Sequence, residues 1–199
     1  MKNTFSVSLS ILLFVLIFSN CENSSKKASK ENTNGVAQQD YLKEGKEIAA
    51  AAQAILGKNL MAAIKAGGTA NALTFCNVRA LPLTDSTAIA LDAKIKRVSD
   101  KNRNSVNAAN KSELAYIHQA KHEVINFGSA KPVLQEINNE MVGYYPIITN
   151  ALCIKCHGDP QNDIDDKTWS LIKDKYPNDK AVGYLPNELR GMWVITMDK

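Results

Sequence analysis

Several kinds of chemistry are missing from these 199 residues. There is no Ser-His-Asp signature, no phosphate-binding glycine loop and no metalloprotease helix, so the common hydrolytic and phosphoryl-transfer routes have no carrier. The lysines are scattered and the formal net charge is only +4. No basic stripe collects phosphates, which argues against nucleic acid as a partner. No internal repeat and no kinase, cyclase or DNA-binding segment is present. No apolar run approaches the about 20 residues a membrane-crossing helix needs. Histidine and cysteine are scarce, at three and four. What remains is enough hydrophobic residues, 45% of the chain, for one domain with a sizeable core.

The first 21 residues, MKNTFSVSLSILLFVLIFSNC, place Lys2 ahead of a short apolar run from Ile11 to Phe18 and end on Cys21. That is the layout of an export signal. A cysteine directly behind the run resembles a bacterial lipoprotein signal, in which Cys21 becomes the lipidated first residue, although Phe18 and Asn20 depart from that pattern. The expected location is therefore outside the cytoplasm, in the periplasm, with a membrane anchor through lipid. Residues 22–40 are rich in Ser, Asn, Lys and Glu and read as a flexible tether. The folded domain is expected over residues 41–199.

Within it, YLKEGKEIAAAAQAILGKNLMAAIKAG has helical apolar spacing at Ile48, Ala51, Ile55, Leu56 and Leu60, and Gly67 and Gly68 end the helix. A second helix starts at Thr69 and runs at least to Pro82. AKIKRVSD reads as a strand, followed by the polar loop KNRNSVNAAN. KSELAYIHQAKHEVI is helical with Ser112 as its N-cap. KPVLQEINNEMVGYYPIIT forms two antiparallel strands turning near NNE, DDKTWSLIKDKYP a short helix stopped by Pro177, and RGMWVITM a last strand. Helices first and strands later predict an α+β domain with an antiparallel sheet.

The chemistry sits in ALCIKCHGDP. Cys153, Cys156 and His157 form Cys-x-x-Cys-His, the covalent haem attachment signature. Two thiols add across the two vinyl groups of one porphyrin, and the adjacent imidazole falls under the iron. A zinc site needs two more ligands nearby, and Cys76, His118 and His122 make no second knuckle. A thioredoxin-like pair belongs in a βαβ unit, and a disulfide across two residues is strained. For the other axial position the candidates are Cys76, His118, His122, Met61, Met141, Met192 and Met197. The histidines also suit a solvated helix face and the methionines core filling. Cys76 is the thiol left over once Cys21, Cys153 and Cys156 are assigned, or else a buried structural cysteine.

FCNVRA, then IKRVSDKNRNSVNAANKSELAYI, CIKCHG and YPNDKAVGYLPNELRGMWVI together resemble a bacterial domain-of-unknown-function family. That family is built around one covalently bound c-type haem in a PAS-like fold. The resemblance covers most of the chain from about Tyr41. It implies an antiparallel sheet with long N-terminal helices around a single haem c, and iron held by His157 and, from the upstream helix, Cys76. This chain departs from the family at NVRALPL, where a charged segment is common, and at Ser105, where proline is common.

Arg97 and Arg103 are candidate partners for the haem propionates, with Asn104 and Asn107 behind them; exposed arginines are the alternative. Tyr144, Tyr145 and Trp193 wall the haem pocket or fill the core. Thiolate ligation stabilises ferric iron and implies a low potential. With both axial positions taken, the expected role is electron transfer or redox sensing with an unidentified redox partner, not enzymatic catalysis. The competing expectation is a gas sensor in which Cys76 is displaced by a diatomic ligand and a partner reads the change.

Overall fold

The structure, a computed structural model, describes the backbone from Ser24 to Lys199 and side chains from Ala37 onward. The export signal and Cys21 lie outside the described residues. Among the described residues no helix is long and apolar enough to cross a membrane.

The chain begins with α1 (Ser24–Ala90), broken at Gly67 and Gly68. Gly68 sits at φ 75°, left-handed backbone that glycine adopts without a Cβ penalty, and the chain changes direction there. Helix already covers 24–40, the stretch expected as a tether; Lys, Glu, Gln and Ala favour helix and no proline interrupts them. The second arm, residues 69–90, passes through Pro82 instead of ending near it. Around that missing N–H, Thr84 Oγ1 donates to the Ala80 carbonyl at 2.8 Å and Thr87 Oγ1 to that of Leu83 at 2.7 Å.

Four strands follow, interleaved with three helices: β1 (Lys94–Val98), α2 (Lys111–Phe127), β2 (Val133–Ile137), β3 (Glu140–Ile148), α3 (Ala151–His157), α4 (Asp166–Lys175) and β4 (Leu189–Asp198). A 3-10 turn at Ser105–Asn107 interrupts the loop after β1. The strands form one antiparallel sheet in the order β1-β4-β3-β2. The β2–β3 hairpin turns through Asn138 (φ 52°) and Asn139 (φ 65°), the two left-handed residues a tight hairpin requires and asparagine tolerates. The N-cap of α2 is Asn110, two residues before the expected Ser112. Its side chain accepts from the Glu113 N–H at 2.9 Å while Glu113 accepts from the Asn110 N–H at 2.8 Å, a reciprocal pairing Ser112 is not placed to make.

Alternation along the strands gives the sheet two apolar faces. On one, Ile95, Met141, Tyr145, Trp193, Ile195 and Met197 pack on Ile48, Ala49 and Ala52 of α1. On the other, Val98, Val142, Tyr144, Met192 and Val194 pack on Ile117, Ala120 and Val124 of α2. Helix α1 lies so close to β3 that a Cβ on Gly45 would stand 2.1 Å from the Tyr145 hydroxyl, which donates to the Leu42 carbonyl at 3.1 Å. Two smaller clusters complete the body: Leu73 with Ile164 and Ile172, and Ile154 with Ala181 and Tyr184. Both lie beside the Cys-x-x-Cys-His helix or the arm that carries Cys76.

Candidate functional site: a cysteine-histidine helix among arginines

Asn150 starts α3, its side-chain oxygen accepting from the Leu152 N–H at 2.9 Å and the Cys153 N–H at 3.2 Å. Spacings of three and four residues then bring Cys153, Cys156 and His157 to one side of the helix. Both thiols are free and half-buried. Glycine is required at Gly158, because a Cβ there would fall 2.4 Å from Ile154 and 2.5 Å from Asp163.

The segment 179–184 fastens the end of α3. His157 Nδ1 donates to the Ala181 carbonyl at 2.8 Å. The Tyr184 N–H donates to the His157 carbonyl, and the Gly183 N–H to that of Gly158, each at 2.9 Å. With Nδ1 carrying the proton, the Nε2 lone pair is left for a ligand. His157 keeps some accessible surface, yet protein packs densely about its ring. That burial, with the charges of Arg103, Arg190 and Arg97, holds its pKa well below the usual histidine range, so the ring is neutral.

Cys76 lies on the second arm of α1, half-buried; burial pushes its thiol up, against the opposing pull of Arg97 and Arg103. Burial likewise raises Cys156, to about 11, with Cys76 among the groups acting on it. The two cysteines are therefore near enough to act on each other electrostatically. The arm is tied to α4 by a polar knot: Thr69 donates to Asp165 at 2.6 Å, and Thr168 lies 2.7 Å from that carboxylate and 2.8 Å from Thr69.

The expected arginines are both here, in different situations. Arg103 and Asp179 form a buried pair at 2.9 Å, their side chains 10% and 6% exposed. Arg103 also donates to the Cys156 carbonyl at 2.7 Å and the Ala181 carbonyl at 3.3 Å. It braces the haem-motif helix against segment 179–184, and only Nη1 is left for another partner. Arg97 stacks over Trp193 at 5.5 Å and makes no hydrogen bond among the described residues. Asn104 caps the 3-10 turn, accepting from the Val106 N–H at 3.2 Å.

The other axial candidates lie elsewhere. His118 and His122 are exposed on α2, Met61 is exposed on α1, and Met141, Met192 and Met197 are buried in the sheet. Tyr145 and Trp193 belong to the α1-facing core, and Tyr144 stacks on Tyr116 on the other face, ring centroids 4.2 Å apart. Among the described residues no three His, Cys, Asp or Glu side chains converge on one metal-sized point, as a zinc centre would demand.

Tyr184 and Arg190 are site residues that sequence reasoning missed. Tyr184 stands edge-on to His157 at 6.4 Å between centroids, with Arg190 5.3 Å and Lys101 4.4 Å from its ring centre. Arg190 Nη1 donates to Ser99 Oγ at 2.8 Å and the Lys101 carbonyl at 3.1 Å. Both stand in the stretch YPNDKAVGYLPNELRGMWVI quoted above for its resemblance, where no spacing singles them out.

An antiparallel α+β domain that sets a Cys-x-x-Cys-His helix and a helical cysteine among arginines has the makings of a cofactor-holding domain. The Tll0287-like family model matches residues 22–198, and the chain belongs to that family. A solved structure described as the cyanobacterial heme-protein Tll0287 is similar at 24% identity and TM-score 0.48, over 60% of this chain and 71% of that one. No curated protein matches.

Proposed function

We propose that the chain is an exported haem c protein for electron transfer or redox sensing, with a PAS-like domain, and that Cys21 anchors it to the membrane through lipid. The residues present fit the group. Cys153 and Cys156 supply two thiols on one side of a helix, His157 supplies a neutral imidazole, and buried arginines supply cations for carboxylates. The observation that carries the reading is the His157 Nδ1–H bond to Ala181, which fixes the tautomer that leaves Nε2 for iron, one residue after the second thiol. Membership of the Tll0287-like family supports haem as the cofactor.

In this reading Cys153 and Cys156 would hold the haem covalently, His157 and Cys76 would ligate its iron, and Arg97 and the free Nη1 of Arg103 would be available to its propionates. The haem would supply a one-electron couple. The protein's residues orient the imidazole, exclude water from Cys76 and place positive charge around the site. Two protein ligands would leave no open iron position for a substrate, which supports a carrier or sensor with a second protein as redox partner over an enzyme. The burial that favours a neutral Cys76 thiol supports a second reading, a sensor in which a diatomic gas displaces Cys76.

The test is the low-temperature electron paramagnetic resonance spectrum of the ferric, haem-matured protein beside Cys76→Ala. A low-spin signal of narrow g-spread that the substitution abolishes supports His157/Cys76 ligation. A high-spin signal, or one the substitution leaves unchanged, refutes it. Carbon monoxide binding to the reduced parent protein favours the sensor over the carrier.

A further inference from the structure

Three guanidinium groups, Arg97, Arg103 and Arg190, act on His157, and a single carboxylate, Asp179, is hydrogen-bonded to any of them among the described residues. Asp100 does not help, since its carboxylate pairs with Lys121. Lys101 adds another cation, its Nζ donating to the Val182 carbonyl at 2.6 Å. The site therefore carries an excess of buried positive charge, and desolvated cations are costly unless an anion meets them.

Two polar atoms show where an anion would sit. Among the described residues three buried polar side-chain atoms have no hydrogen-bond partner: the acceptor Asp100 Oδ1 and the two donors Arg190 Nε and the Tyr184 hydroxyl. The hydroxyl lies close enough to the Arg190 guanidinium to stabilise its charge, although the pair falls outside hydrogen-bond geometry. Buried N–H and O–H groups are seldom left unpaired, and two adjacent donors match the two oxygens of a carboxylate. Arg190 is anchored from behind by Ser99 and the Lys101 carbonyl, which leaves Nε aimed away from its own supports.

We infer that Arg190 and the Tyr184 hydroxyl form a carboxylate clamp for one haem propionate, with Arg97 serving the other. Arg103 is then mainly a positioning residue, committed to Asp179 and the two carbonyls. The inference rests on the haem reading above and moves one propionate from Arg103 to Arg190 and Tyr184.

The experiment compares the haem-loaded parent with Arg190→Gln, Arg190→Lys and Tyr184→Phe. Haem per chain, far-ultraviolet circular dichroism and the midpoint potential between about pH 5 and 8 are measured for each. An arginine partner typically lowers a carboxyl pKa by about 1–3 units, so the parent potential should be nearly flat over that range. Arg190→Gln should raise the proton affinity of the propionate about tenfold or more. Its potential should lie below the parent's and fall with rising pH, because each lost proton leaves negative charge that favours ferric iron. Tyr184→Phe should show the same sense more weakly, and Arg190→Lys should restore most of the parent profile. Superimposable profiles in folded, haem-loaded Arg190→Gln and Tyr184→Phe overturn the clamp. Where Arg190→Gln does not fold, Tyr184→Phe and Arg190→Lys decide by the same readout. A parent that attaches no haem under maturation overturns the haem reading instead, which the haem count distinguishes.

Discussion

Asp165 links the two parts of the chain that carry the candidate iron ligands, and its contribution can be worked out. Its Oδ1 accepts from the Thr168 N–H at 3.0 Å, capping α4, and its Oδ2 accepts from the Thr69 hydroxyl at the start of the Cys76 arm. Bonds from Thr69 and Thr168 hold the carboxyl at about 2, against an ordinary 3.8. At about 1.36 kcal/mol per pH unit that difference is about 2.4 kcal/mol. Asp165 is exposed, so solvent screening reduces the electrostatic part to about 1 kcal/mol, in line with the ordinary worth of an N-cap. Asp165→Ala should therefore destabilise the protein by about 1–2 kcal/mol at pH 7, lowering Tm by about 3–6 °C for a domain of this size. The folded pKa is depressed, so this stability is present above about pH 4 and is lost as pH falls through about 2. Melting curves of parent and variant, followed by circular dichroism at several pH values, should converge over that window. Asp165→Asn keeps a capping oxygen and should cost less than Asp165→Ala. A gap between parent and Asp165→Ala that is absent at pH 7, or constant down to pH 2, would refute the assignment.

Two further perturbations test the frame around the site. A Cβ on Gly191 would fall 2.3 Å from the Val98 carbonyl oxygen, a backbone atom that cannot step aside, so Gly191→Ala should cost about 3 kcal/mol and lower the urea midpoint. Ile117 is fully buried between α2 and the sheet; Ile117→Ala should cost about 3 kcal/mol in the same titration while leaving the spectrum of a haem-loaded sample unchanged.

What could be read from the chain before folding was local. Cys153, Cys156 and His157 stand together in sequence, the asparagine pair of the hairpin is its own turn signal, and the apolar run of β4 marks a strand. The errors were cases where a neighbour outweighed a single-residue rule. The helix expected to run at least to Pro82 continues past it to Ala90, with threonine hydroxyls bonded to nearby carbonyls. Ser112 was taken as a cap, but Asn110 and Glu113 satisfy each other. Arg190 and Tyr184 were invisible for a different reason. They meet His157 only because segment 179–184 folds back on α3 and the start of β4 runs beside Ser99, and no spacing along the chain encodes either event.

The two sides of the site are held unequally, and this decides which ligand can move. His157 is fixed by its own Nδ1–H bond, by the Tyr184 and Gly183 amides on successive carbonyls, and by Arg103, which ties Cys156 to Asp179 and Ala181. Lys180 and Lys101 bind the same segment to the loop after β1, from the Lys180 N–H to the Asn102 carbonyl and from Lys101 Nζ to that of Val182. Shifting the imidazole means breaking several buried bonds together. The Cys76 thiol makes no hydrogen bond among the described residues, and its arm meets α4 through Leu73 and the exposed Thr69–Asp165 bond. Local opening follows the weakest set of contacts. If the proposed ligation holds, exchange at the iron would start with displacement of Cys76 while His157 stays in place, and carrier and sensor would differ in how often that displacement occurs.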